Sequence, residues 1–138
     1  LPRRGGAGGT ADFPAFVTNT DSATDKWTDV AIHELGHALG LGDEYDSPNP
    51  DAPPGIEPNI CADPDPARAP WRHLVTAPPG IPSAPYNGGA NLDGKVGTFQ
   101  GARYEQTRFF RPAYRCMMRS TRDSFCPRCR ELILARLS

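Results

Sequence analysis

The eleven residues HELGHALGLGD, His33 to Asp43, restrict this chain more than any other stretch. Trp27, Val30, Ala31, Leu35, Ala38 and Leu39 recur at helical spacing around it. Ser22 or Thr24 can cap the start, and Ser22 with Asp25 resembles a capping box. The pattern predicts a helix from about residue 24 to 39, ended by Gly40 and Gly42. Positions i and i+4 of a helix lie on one face, about 5–6 Å apart at Cβ. His33 and His37 can therefore bind one cation, and imidazole nitrogens suit zinc at about 2.0–2.1 Å. Glu34 is turned about 100° away, so it is not a third ligand on that face but reaches a water at the metal. This is the H-E-x-x-H arrangement, in which the glutamate is the general base. A catalytic zinc takes three protein ligands and keeps one position open. Gly40 lets the backbone reverse at little cost, and Asp43 then returns as the third ligand. Glu44 is the competing third ligand, but its spacing fits a loop-anchoring contact better. A surface helix with solvated histidines would leave the positions of Gly40 and Asp43 unexplained.

Around this helix the chain is irregular. It has 138 residues, enough for one domain, and 16 prolines and 14 glycines, which predict long irregular segments. No apolar run approaches the roughly 20 residues of a membrane span, and no stretch reads as a signal peptide. The start at Leu1 rather than Met reads as a processed product or a piece of a longer chain. FPAFVTNT, residues 13–20, has strand composition, and Pro14 makes it an edge strand. Residues 47–90 are rich in proline and glycine and read as an ordered, irregular wall, with only WRHLV at 71–75 patterned by itself. His73, within it, reads as a loop or strand residue and not a ligand. Residues 95–118 carry aromatics on short extended pieces. Pro127 then opens a last helix with Leu132, Ile133 and Leu137 as its apolar face.

Charge is split between the halves. Residues 1–66 hold twelve acids against three Lys/Arg, and residues 67–138 hold four against twelve. Two halves that neutralise one another on folding account for this. The arginines fall in no nucleic-acid-binding pattern, so neither nucleic acid nor membrane is an expected partner, and a monomer is expected. The four cysteines, Cys61, Cys116, Cys126 and Cys129, fit two disulfides and an oxidising, secreted or extracytoplasmic setting. The preferred pairing joins Cys116 to Cys126 or Cys129, and Cys61 to the one left over. The C-x-x-C at 126–129 also permits a structural zinc.

The spacing H-E-x-x-H-x-x-G-x-x-D is that of the metzincin pattern, with aspartate where many members have histidine. HELGHALGLGDEYD, PNI at 58–60, Gly-Ala-x-Tyr at 101–104, Arg-Pro at 111–112, C-x-M-R at 116–119 and FCPRC follow in an order that resembles the IgA-peptidase family of zinc metallopeptidases. The resemblance implies an α+β, metzincin-like catalytic domain with an active-site helix, an edge strand, a methionine turn beneath the metal and a C-terminal helix. Met118 fits that turn best and Met117 second. Some sixty residues of the usual upstream sheet are missing from this pattern, so residues 1–138 read as one domain, the C-terminal part of a larger catalytic unit. The tyrosine that some members carry after the turn is replaced by Ser120, and Tyr45 is the alternative residue near the metal, although packing beside the ligand loop suits it better. C-x-M-x7-C-x-x-C also resembles the cysteine portion of archaemetzincins, which would make a second, structural zinc.

The function implied is zinc-dependent endopeptidase activity on protein or peptide substrates, lying extended against the edge strand. The competing class is an inactive zinc-binding recognition module grown from a peptidase fold.

Overall fold

The computed structural model describes residues 24–84 and 94–138. The strand expected at 13–20 and the capping serine lie outside these residues. Helix α1 runs from Thr24 to Ala38, close to the expected bounds. It ends in a Schellman turn: Leu41 N–H donates to the Gly36 carbonyl and Gly40 N–H to that of His37, both at 3.0 Å. Gly40 takes φ +97°, the left-handed conformation that such a stop needs. The reversal sends Leu41 into the core and Asp43 back toward the helix.

Residues 47–84 wrap the molecule as a wall without long elements, as the prolines predict. Single turns at Pro66–Arg68 and Arg72–Leu74 interrupt it. Trp71 between them is fully buried and anchors a core cluster with Cys61, Ala69, Val96 and Phe110. Its indole N–H donates to the Gly97 carbonyl at 2.7 Å.

Strands β1 (Val96–Ala102) and β2 (Glu105–Ala113) form an antiparallel hairpin where only short extended pieces were expected. Its register passes from Val96 opposite Ala113 to Ala102 opposite Glu105, with two irregularities between. Arg103 and Tyr104 make the two-residue turn at φ 49° and 69°. This is the backbone of a type I′ turn, which Asn-Gly normally supplies. Two ordinary side chains held there must be secured from outside. Arg103 N–H donates to the Asp43 carbonyl at 3.0 Å and Tyr104 N–H to that of Tyr45 at 2.9 Å. The hairpin tip is thus docked on the residues that follow α1.

Helix α2 (Pro127–Leu137) has its proline in the first turn, as expected. Leu132 and Ile133 pack on a cluster of Leu41, Ala113, Cys116, Met118, Cys126 and Cys129. Leu137 departs from the expectation: it shares the face of Ile133, one turn further along, but is exposed. No helix among the described residues is long and apolar enough to cross a membrane. Across the charge-split halves, Arg103 pairs with Glu57 at 3.0 Å.

The cysteines correct one expectation. All four are buried and free, and no disulfide forms. The sulfurs of Cys116 and Cys129 stand 3.7 Å apart, against about 2.05 Å in a disulfide. Cys61 sits in the Trp71 cluster and its thiol donates to the Asp63 carbonyl at 3.4 Å, so it has no cysteine to pair with. The cysteine count therefore gives no structural reason for an oxidising compartment.

Candidate metal centre

Three side-chain atoms converge at the end of α1. His33 Nε2 and His37 Nε2 are 3.1 Å apart. Asp43 Oδ1 lies 3.1 Å from the first and 2.9 Å from the second. One turn of helix aligns the two rings, and the Schellman turn brings the carboxylate to them. Glu34, 7% exposed, offers a carboxylate oxygen within 4.8 Å of a nitrogen from each histidine.

The far nitrogens of both rings are committed to carbonyl groups, which only accept. His33 Nδ1–H donates to Met117 O and His37 Nδ1–H to Leu41 O, each at 2.9 Å. Such a bond fixes the tautomer, so in the neutral rings both Nε2 atoms present lone pairs. Two lone pairs and a carboxylate oxygen then face one another at about van der Waals contact or closer. Only a cation between them, a proton or a metal ion, makes that arrangement attractive. The charge balance agrees. Burial disfavours a charged His37, but its hydrogen bond and attraction to Asp43 prevail and raise its pKa to about 8. Burial likewise works against the Asp43 carboxylate, yet hydrogen bonds from His33, His37 and Tyr104 hold it well below the usual carboxylate range.

Tyr104 is the residue that sequence reasoning missed. Its hydroxyl donates to Asp43 Oδ2 at 2.5 Å, leaving Oδ1 for the histidines. Tyr45, the residue considered instead, meets the Tyr104 ring edge-on with centroids 5.4 Å apart. Burial and the nearby Asp43 push its hydroxyl up to about 12. Only the Gly-Ala-x-Tyr motif pointed toward Tyr104, and it gave no role.

Beneath the centre runs the turn Cys116–Arg119, closed by Arg119 and Ser120 N–H groups on the Cys116 carbonyl, each at 2.9 Å. Met118 is fully buried under α1. A β-carbon on Gly36 would come within 2.6 Å of the Met118 sulfur, so the glycine of H-E-x-G-H is what lets the turn approach. Met117 supplies the carbonyl that orients His33. Glu44 N–H donates to the Met118 carbonyl at 2.8 Å, which ties the loop after α1 to the same turn.

Glu44 points away from the histidines. It is fully buried, and Oε2 accepts from Asn59 at 2.9 Å and from the Cys129 thiol at 3.2 Å. Asn59 also exchanges two hydrogen bonds with the backbone of Gly42, at 2.8 and 2.9 Å. The PNI segment thus holds the loop after α1 in place. Burial, then the charge of Cys116, push the Glu44 carboxyl well above its usual range. The cysteines share charge unequally: the bond to Cys126 pushes Cys116 up to about 12, while bonds from Cys116 and Cys129 pull Cys126 down to about 6. His73 is remote from both groups and meets Glu131 at the surface, at 2.6 Å.

Tyr104 also borders a broad open groove of about 1120 Å³. One wall is the proline-rich segment Pro48–Ile56 and the other is the exposed start of β2 through Phe109.

Among known proteins, the family described as IgA Peptidase M64 matches residues 88–137. That span covers the hairpin, the turn Cys116–Arg119 and α2, and it bears out over this part the resemblance to these zinc metallopeptidases. The histidines of α1 lie outside it. No curated protein matches the chain.

Proposed function

We propose that the chain carries the active centre of a zinc-dependent endopeptidase, with His33, His37 and Asp43 as ligands and Glu34 as general base. The observation that supports this most is the convergence of two oriented imidazole lone pairs and one carboxylate oxygen, with edges of 2.9–3.1 Å. Ligands at about 2.0–2.1 Å from a tetrahedral ion stand about 3.3 Å apart, so the residues fit zinc with only small adjustments. The match to a peptidase family over the turn beneath these residues supports the same reading.

When bound, zinc supplies Lewis-acid polarisation of a peptide carbonyl and acidifies water. The protein does the rest. The Met117 and Leu41 carbonyls hold the two rings with Nε2 inward. Tyr104 fixes the Asp43 carboxylate. Glu34 takes the proton of the attacking water and returns it to the leaving amine. A protein or peptide substrate would occupy the open groove beside Tyr104. Pairing with a strand at residues 13–20 falls outside the described structure.

The test is cleavage of an unfolded protein such as casein. Activity is expected to vanish on chelation and return with added Zn²⁺. Cleavage unaffected by chelation would sink the assignment, and a folded, zinc-loaded chain that cleaves nothing would favour the recognition module. Tyr104→Phe tests the ligand set. Losing a partner of a ligand typically costs about 10–100-fold in metal affinity, and that loss is expected in competition with a zinc-binding dye. An unchanged affinity would mean that Asp43 is not a ligand.

A further inference from the structure

We propose that Glu44, Cys116, Cys126 and Cys129 form a second metal site, a buried tetrahedral zinc centre of three sulfurs and one carboxylate oxygen. The cysteines alone provide three ligands, since Cys61 lies in another cluster. The acid that follows Asp43 supplies the fourth. The four ligand atoms lie within 4.8 Å of one another and all four residues are buried.

Three independent features favour a metal over a group of packed thiols. The first is spacing. Zinc–sulfur bonds of about 2.3 Å place tetrahedral sulfurs about 3.8 Å apart, and Cys116 and Cys129 are 3.7 Å apart. The second is the backbone around the sulfurs. Met118 and Cys126 N–H groups donate to Cys116 Sγ at 3.5 and 3.3 Å, and Cys129 N–H donates to Cys126 Sγ at 3.5 Å. Donors aimed at sulfur favour the thiolate, the form that binds metal. The third is Glu44 Oε1, a fully buried carboxylate oxygen without a hydrogen-bond partner. Buried polar atoms in native proteins are nearly always satisfied. Here Oε2 is the oxygen that stands beside the sulfurs, 3.2 Å from Cys129 Sγ, and the unsatisfied Oε1 leaves the carboxylate short of a partner that a bound cation would supply.

Four protein ligands make a closed site, which is structural and not catalytic. It would staple three distant segments: the loop after α1, the methionine turn and the start of α2. Arg111, 3% exposed, adds a favourable charge toward Glu44 that offsets part of the ligands' negative charge. The centre does not depend on peptidase activity, because an inactive module would need the same staple.

The experiment is metal analysis of the full chain, with Co²⁺ as spectroscopic probe. Two zinc ions per chain are expected. The cobalt-loaded protein should show a thiolate-to-cobalt charge-transfer band that persists when His33 and His37 are both replaced by alanine. One zinc per chain with no thiolate band overturns the second site and leaves the histidine centre standing. One metal with a thiolate band supports the second site and removes the first. Cys129→Ser is expected to lose one zinc. Because loss of a structural metal can unfold a chain, zinc X-ray absorption on the unaltered protein gives the deciding result. Sulfur scattering at about 2.3 Å supports the site, and nitrogen and oxygen alone overturns it.

Discussion

Glu34→Gln is expected to leave the protein folded and zinc-loaded while lowering kcat for peptide cleavage by about 10²–10⁴-fold, the usual contribution of a general base. Glutamine keeps the volume and polarity of a side chain that is 7% exposed, so packing is little disturbed. It loses the one property that the mechanism uses, a basic oxygen. Glu34 sits beside the first histidine but a third of a turn around α1, so it need not contribute to holding the ion. The decisive comparison is kcat and zinc content measured on the same preparation. A drop below about tenfold with zinc retained would place the base elsewhere. Loss of zinc with the drop would mean that Glu34 is a ligand.

The second large effect is on stability. Trp71→Ala is expected to cost about 3–5 kcal/mol, the range for deleting a buried aromatic ring. Trp71 is fully buried, and its indole N–H donates to the Gly97 carbonyl at the start of β1. Truncation opens a cavity and strips that carbonyl of its partner. Domains of this size have about 5–15 kcal/mol in total, so the variant should be mostly unfolded or close to it at 37 °C. Trp71→Phe refills most of the space but not the hydrogen bond and should lose less, about 1–3 kcal/mol. Urea midpoints followed by circular dichroism rank the three proteins. A midpoint for the alanine variant within error of the parent would mean that this cluster does not support the wall of residues 61–75.

What the sequence revealed, and what it hid, follows the range of the interactions. Helix α1, its stop at Gly40 and the return of Asp43 were legible because each is decided within a few residues. The same is true of α2, announced by Pro127. The hairpin was hidden because Arg103-Tyr104 carries none of the glycine or asparagine that marks a tight turn. Its positive φ angles are sustained by backbone bonds to Asp43 and Tyr45, some sixty residues away in the chain. The role of Tyr104 was hidden for the same reason. The cysteines were misread because their even number suggested pairs. Three of them share their pocket with Glu44, an acid at the end of a different motif. Treating carboxylates as candidate fourth ligands to C-x-M and C-x-x-C would have raised Glu44 earlier. The spacing of Leu137 points inward, but the cluster under α2 takes Leu132 and Ile133 and leaves Leu137 exposed.

The bond from His33 to the Met117 carbonyl spans 84 positions of the chain, and that from Cys129 to Glu44 spans 85. Contacts so remote form late, after the shorter loops have closed. On the ribosome, α1 emerges well before the turn that orients its first histidine. A nascent chain therefore holds both histidines and the glutamate yet lacks the carbonyl that aims one ring and the hairpin tyrosine that sets the aspartate. On the proposed peptidase reading, the centre is therefore assembled only with tertiary completion, and a half-made copy would not yet cut.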